Sequence, residues 1–442
     1  MTPSIRRAAA LAIASLAVPA TGAPAAAAPP QDGLTAFDVF AEADRARAAG
    51  RIGDALVLFD ALARDPDADI RAEARFRKAM MLAEARRYAE AATTLRALLD
   101  EAPAAARVRL ELARVLALMG DEAGAARAIR QAQAVGLPPD VATLVDQFAR
   151  ALRSARPFGG SIQIAIAPDT NVNRATQART LDTVIAPLTL SREARAQSGL
   201  GVRLSSQAHA RVAITDELSL LPRASMLGSF YRQSAFNDLS ASTLVGIEWR
   251  RGGDRWTPSI GATQRWYGGS IYARTGSATL DWLHPVGKQA QLVVHGGAAK
   301  TRHRRNDLQD GGLFDLSVAF ERAVGAQSGF GASLSGYRQT ARDPGYGTIA
   351  GGLTLSAWRD LGRTTLFVGA GVSRLEGDAR LFLFPDRRRE WLATSSAGAT
   401  FRRLAVRGFA PLLRLTLERN RSSVGLYRYR RLAGEIGLTR AF

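Results

Sequence analysis

The sequence predicts an α + β two-domain membrane protein: an N-terminal all-α solenoid of helical hairpins and a C-terminal 14-stranded antiparallel transmembrane β-barrel. Three observations predict it. From about Phe158 to Phe442 the chain is a series of strand-length segments whose side chains alternate apolar and polar, the dyad pattern of strands with one face in lipid and one in water. From Phe37 to about Arg153 the pattern is alanine- and leucine-rich with helical spacing and an internal repeat. The links between the strand segments alternate between short and long, as in barrels with tight turns at one rim and loops at the other.

The N-terminus comes first. Arg6 and Arg7 precede an apolar stretch from Ala8 to Val18, then Pro19 and an alanine-rich run from Ala23 to Ala28. A basic head, a short apolar core and a small-residue cleavage zone predict a signal peptide over 1–28, followed by a linker over 29–36. The apolar stretch falls short of the ~20 residues a membrane-spanning helix needs. The chain has no cysteine, hence neither a disulfide nor a lipid-attachment site. Export then leads to the periplasm or, for a barrel, to the outer membrane. The net charge of +19 is uneven, since 158–442 holds 38 basic and 21 acidic residues. Export argues against nucleic acid as the partner of this basic field and favours lipopolysaccharide headgroups or an acidic passenger. A compositional bias toward arginine, with only Lys78, Lys288 and Lys300 as lysines, accounts for the same excess without a partner.

The helical region is placed over 37–155. Gly50-Arg51-Ile52-Gly53-Asp54-Ala55, Arg86-Arg87-Tyr88-Ala89-Glu90-Ala91 and Met119-Gly120-Asp121-Glu122-Ala123-Gly124-Ala125 each mark a turn before a second helix. Pro66, Pro103 and Pro138 each close a unit, so the period is about 35 residues. The length is that of tetratricopeptide repeats, and Ala55, Ala91 and Ala123/Ala125 suit close packing of paired helices. The Trp and Tyr positions usual in such repeats are mostly absent. A single hairpin cannot bury its apolar face, so three units stack. The stack either offers a periplasmic binding groove or serves as a spacer.

Strands are expected over 160–168, 197–213, 216–231, 238–251, 255–268, 272–284, 288–302, 309–322, 327–339, 347–360, 363–376, 389–402, 408–421 and 428–442, within a barrel domain of 158–442. Phe314, Leu316, Val318 and Phe320 oppose Asp315, Ser317 and Glu321, while Leu413, Leu415 and Leu417 oppose Arg414, Thr416 and Glu418. Such charges fit a wet lumen, because an Arg at the lipid midplane costs about 2–4 kcal/mol. Short turns are expected at 214–215, 252–254, 285–287, 324–325, 361–362 and 404–407. Longer links are expected at 169–196, 232–237, 303–308, 340–346, 377–388 and 422–427. All six tryptophans, Trp249, Trp256, Trp266, Trp282, Trp358 and Trp391, lie in this half and suit interfacial girdles. A terminal Phe442 on an alternating strand is the kind of ending that the barrel assembly machinery recognises.

Catalytic chemistry is not expected. His209, His284, His295 and His303 are scattered without metal-ligand spacing, and there is no cysteine to build a zinc site. No Gly-x-Ser-x-Gly elbow or phosphate loop is present. Ser205 lies four residues from His209, roughly 13 Å along a strand, and Ser206 points to the other face. No cofactor and no metal are expected. The arginine runs containing Arg304, Arg305 and Arg387, Arg388, Arg389 fall in or beside the longer links. They suit lipopolysaccharide phosphates through guanidinium forks or are solvated loop residues.

The barrel opens with Gly159-Gly160-Ser161-Ile162-Gln163-Ile164-Ala165-Ile166-Ala167-Pro168-Asp169-Thr170-Asn171-Val172-Asn173-Arg174-Ala175-Thr176. Behind a signal peptide and helical repeats, this stretch resembles the surface lipoprotein assembly modifier (Slam) family, whose first-hairpin motif matches Asp169, Asn171, Asn173, Arg174 and Ala175. The resemblance implies a 14-stranded outer-membrane translocon that carries surface lipoproteins or related secreted proteins, with the repeats engaging the passenger in the periplasm; a monomer is expected. Locally, Asp and Asn tolerate left-handed backbone and cap turns, so the motif also reads as a loop-ordering turn. Pro168 should end ladder pairing and leave a short, weak first strand. Beside the last strand, with Ile164 facing Ile436, Leu438 and Phe442, it would make a lateral seam. An exopolysaccharide export porin and a general outer-membrane porin remain alternatives.

Overall fold

The structure is a computed structural model that describes residues 35–134, 158–406 and 409–441. The expected signal peptide, the part of the repeat region beyond Ala134 and Phe442 lie outside the described residues.

Six helices form three hairpins: α1 (Ala36–Ala48) with α2 (Ile52–Leu62), α3 (Ala68–Glu84) with α4 (Tyr88–Glu101), and α5 (Ala106–Leu118) with α6 (Glu122–Ala134). Alanines let the helices approach closely. Ala43, Ala46, Ala55, Ala79, Ala91 and Ala113 are fully buried, beside Phe59, Met81 and Leu95. Each hairpin turn uses one solution to the orphan carbonyls at a helix end. Arg51 N–H donates to Ala46 O and Gly50 N–H to Arg47 O; Arg87 and Arg86 repeat this on Leu82 and Ala83, as do Asp121 and Gly120 on Leu116 and Ala117. The residue in the middle of each turn is left-handed: Gly50 at φ 74°, Gly120 at φ 80° and Arg86 at φ 59°. Only Arg86 carries a Cβ there, and its side chain is exposed. No described helix is long and apolar enough to cross a membrane.

Fourteen strands close into a barrel, as the alternation predicted: β1 (Phe158–Asp169), β2 (Gly199–Ala210), β3 (Leu218–Tyr231), β4 (Asp238–Arg251), β5 (Asp254–Tyr267), β6 (Ser270–Val286), β7 (Ala290–His303), β8 (Gly311–Ala323), β9 (Ser328–Gln339), β10 (Thr348–Leu361), β11 (Thr364–Arg380), β12 (Arg387–Phe401), β13 (Ala410–Ser422) and β14 (Tyr429–Ala441). Every neighbour is antiparallel, and β1 pairs with both β2 and β14. Closure follows from the solvent: in hydrocarbon an unpaired backbone amide has no water to turn to, so a spanning sheet keeps no free edge. The outer surface carries Phe314, Leu316, Leu334, Leu353, Leu415 and Ile436, all exposed, as a lipid face requires. The inner face holds charge. Glu248 is buried with Arg211 at 3.2 Å and Arg250 at 2.5 Å, and His295 sits between Asp281 at 2.6 Å and Asp315 at 3.0 Å.

Several expectations need correction. β1 runs to Asp169, past Pro168. Proline lacks the N–H for one ladder, and the gap falls on the β14 side, where Ala167 and Pro168 have no partner. Toward β2 the pairing continues through Pro168–Leu200 and Asp169–Gly199. β6 and β11 are longer than expected, and β11 carries a register shift between Glu376 and Arg380. At the rim away from the helices, the connection from β5 to β6 is a two-residue turn. Gly268 and Gly269 are both left-handed, at φ 58° and 78°, the geometry of a tight hairpin turn. The tryptophans divide among several positions. Trp249, Trp256 and Trp282 are register neighbours across β4, β5 and β6, with the rings of Trp256 and Trp282 stacked at 5.0 Å. Trp391 is exposed on the outer surface, whereas Trp358 lines a cavity facing the helices.

The helices sit against the barrel rim that carries the short turns. Arg130 donates to Gln291 at 2.9 Å, Gln131 donates to Asp360 at 3.0 Å, and Arg363 lies 3.9 Å from Asp100. Replacing Arg86 by Gly removes the cost of a Cβ in left-handed backbone, partly offset by the greater entropy of an unfolded glycine. The Arg86→Gly variant should therefore stabilise the helical region by about 0.5–1 kcal/mol, read as a raised helical melting transition by far-ultraviolet circular dichroism of the full chain.

Candidate functional site

The site begins where β1 ends. The residues of the first-hairpin motif all turn back onto the barrel's last two strands or onto their own loop. Asp169 is buried, and its carboxylate accepts from the Asn171 N–H at 2.9 Å, a turn that Asp readily makes. The Asn171 side chain makes three hydrogen bonds although it is almost completely buried. Its amide donates to Ala175 O at 2.9 Å and Arg430 O at 3.1 Å, and its oxygen accepts from the Ala175 N–H at 3.0 Å. Asn173 ties the returning limb of the 170–198 loop: it donates to Arg195 O at 2.8 Å and accepts from the Gln197 N–H at 3.2 Å. Arg174 has left-handed backbone at φ 48°, which aims its guanidinium across the rim. There it forks onto Glu418, Nε at 2.9 Å and Nη2 at 3.1 Å.

Glu418 also accepts from Arg431 at 2.5 Å, and Arg431 continues to Asp169 at 2.6 Å. Arg174, Glu418, Arg431 and Asp169 therefore form an alternating chain of two cations and two anions linking the first loop to β13, β14 and the end of β1. Thr170 adds a reciprocal pair of bonds with Leu432, its N–H to Leu432 O at 3.0 Å and its Oγ1 accepting at 2.9 Å. Deeper in the lumen, Glu435 on β14 meets Arg203 on β2, Arg414 on β13 at 3.3 Å and Gln163 on β1 at 3.1 Å. Thus four strands around the closure are held on the inner face by two ionic clusters. On the outer face Ile164 pairs in register with Leu438, and Ile166 with Ile436, all exposed to the lipid side.

The alternation puts Glu418 on the inner face, but it singles out neither Glu418 nor Arg431 and Glu435, because their partners lie more than 230 residues away or on another strand. The signal available was charge at inward positions of the last strand. The arginine run Arg387, Arg388, Arg389 divides. These residues begin β12 rather than occupying a loop, so the two-residue period sends neighbours to opposite faces. Arg387 and Arg389 are exposed, while Arg388 turns inward onto Glu390 at 2.9 Å and the Tyr427 ring at 3.7 Å. Arg304 and Arg305 are exposed in the link after β7, with Arg305 donating to Ser270 at 2.5 Å.

Losing one partner of a buried ion pair leaves an uncompensated charge, typically a loss of about 3–5 kcal/mol. Asp169→Ala or Arg431→Ala should destabilise the folded barrel by about that much. Arg174→Ala, at a half-exposed side chain, should cost no more than about 1 kcal/mol. The temperature at which the folded barrel loses its compact, fast-migrating form on a gel ranks the three. Equal effects would contradict this account of the clasp.

Comparison with curated proteins finds no match. Among solved structures, similar chains include OmpT, an outer membrane protein of Vibrio cholerae, at 10% identity over 64% of this chain and 97% of that one, with a TM-score of 0.38. A bacterial polysaccharide outer membrane secretin matches at 12% identity over 64% and 98%, with a TM-score of 0.32. OccK3 of Pseudomonas aeruginosa matches at 12% identity over 64% and 95%, with a TM-score of 0.35. The sequence model described as surface lipoprotein assembly modifier matches residues 159–442, which takes in almost the entire barrel and well over half of the chain. The chain belongs to the surface lipoprotein assembly modifier family of outer-membrane β-barrels.

Proposed function

We propose that this chain is a non-catalytic outer-membrane translocon that delivers surface lipoproteins, or related secreted proteins, to the cell surface. Family membership supports the class of passenger. The observation that carries the mechanism is the placement of three stacked helical hairpins against one rim of a closed barrel, bridged by Arg130–Gln291, Gln131–Asp360 and Asp100–Arg363. Short turns mark the periplasmic rim of bacterial barrels and longer loops the outer one, and the hairpins adjoin the short-turn rim. In this reading an N-terminal signal peptide exports the chain, the assembly machinery inserts the barrel as a monomer, and the hairpins meet the passenger in the periplasm. The passenger then leaves through the polar lumen. Arg304, Arg305, Arg387 and Arg389 stand at the loop rim, where lipopolysaccharide phosphates would neutralise them.

The test is surface exposure of a lipoprotein encoded beside this gene, measured by protease shaving or antibody labelling of intact cells. Deleting the gene should abolish display without lowering total passenger. Restoring only the barrel, residues 158–442 behind a signal peptide, should leave display at less than a tenth of the level with the full chain. Undiminished display in the deletion strain would refute the transport reading. A loss of exported polysaccharide with normal lipoprotein display would favour polymer export.

A further inference from the structure

Between the helices and the barrel lies a cavity of about 290 Å³, at the short-turn mouth of the lumen. Its helical wall is built from α4, α5 and α6, and its barrel wall from inward residues of β10, β11 and β12 and the turns beside them. Four arginines line it: Arg96, Arg109 and Arg127 from the helices and Arg402 from the turn after β12. Two carboxylates, Asp121 and Asp360, face them, while Asp100 at the edge is engaged by Arg363. The walls therefore carry a surplus of two positive charges.

The hydrogen bonding is as unbalanced as the charge. Asp360 accepts from Gln131 at 3.0 Å and from Thr365 at 2.5 Å, and Asp121 spends an oxygen on the Gly124 N–H at 2.8 Å. Neither forms a direct salt bridge with an arginine among the described residues. Among the described residues, the Arg96 and Arg127 side chains make no hydrogen bond or ion pair, and the Arg402 guanidinium reaches only the Thr365 hydroxyl. Arg109 is 3% exposed, yet its Nε has no partner. Burial, together with the neighbouring Arg402 charge, holds the Arg96 guanidinium down to about 9, and burial likewise lowers Arg402. The Arg96, Arg127 and Arg402 side chains are half-buried and line the same cavity, where like charges crowded together in a confined space repel. Gly124 and Gly362 stand on opposite walls, the latter in left-handed backbone at φ 59°.

We infer that this cavity is an anion-binding site that takes a carboxylate or phosphate group between Arg96, Arg127 and Arg402. An oxyanion there supplies the acceptors these guanidiniums lack, in fork geometry that suits arginine better than lysine. Because the three arginines come from α4, α6 and the barrel rim, a bound anion also joins the hairpins to the mouth of the lumen. The site is separate from the clasp at the other rim. Its readout is binding by the purified protein, so its failure would leave the transport reading intact.

The test uses the full mature chain folded in a neutral detergent, titrated calorimetrically with inorganic phosphate and, separately, with hexaglutamate. Sodium chloride holds the ionic strength constant. At least one probe should bind one-to-one above the chloride control. The double variant Arg96→Gln/Arg127→Gln should weaken that binding at least tenfold, and Arg127→Lys should weaken it less. Retention of the compact form on unheated gels establishes that each variant is folded. Binding of phosphate alone would assign the site to a free oxyanion, and tighter binding of hexaglutamate to an acidic polypeptide segment. Neither probe binding above the control, or equal binding by the double variant, would overturn the inference.

Discussion

Hydrogen bonding of the backbone in a solvent without water is the constraint on which the rest of this structure depends. Lipid offers no partner for an exposed N–H or C=O, so the first strand must meet the last, however far apart they are in sequence. That requirement brings Asp169 beside Arg431 and Gln163 beside Glu435. The inward charges of the terminal strands thereby become partners. Without closure, Arg431 and Glu435 would be costly buried charges; with it, they are parts of two ionic clusters.

What could be read in the sequence follows from the same constraint. The two-residue period showed which of Leu413, Arg414, Leu415 and Glu418 face lipid and which face the lumen, and the structure places them so. Local backbone chemistry was legible too, since Gly50 and Gly120 sit where left-handed residues end helices. Partners across the closure were not, because the pairing register of β1 with β14 is a property of the finished barrel. Nor was the division of Arg387, Arg388 and Arg389, which depends on the strand beginning two residues earlier than expected. The same limit hid the basic cavity: Arg96, Arg109 and Arg127 lie on the helical half, and only docking against the rim adds Arg402 and Asp360.

The motif at 169–174 shows how a short sequence can act at long range. Asp169 and Asn171 each order the local turn and reach β14 with the same side chain. Alternative side chains fail for definite reasons. A Ser at 171 lacks the second donor, and an Asp there would set a charge against the Arg430 and Ala175 carbonyls. The motif is thus a loop-ordering turn that also locks the loop to the closing strands.

Parting β1 from β14 would expose the amides paired from Ser161–Ala441 to Ile166–Ile436, each at a cost of several kcal/mol in hydrocarbon. It would also break the Asp169–Arg431 pair and pull Glu435 from Arg203. The gap at Ala167 and Pro168 is too short to offset that, and it lies next to the most heavily bonded part of the seam. A path through the lumen requires only that polar contacts be exchanged for water or for cargo, at one end through the first loop and at the other through the hairpins. In the transport reading proposed above, the lumen is therefore a less costly route than the seam, which puts control of passage at the two rims.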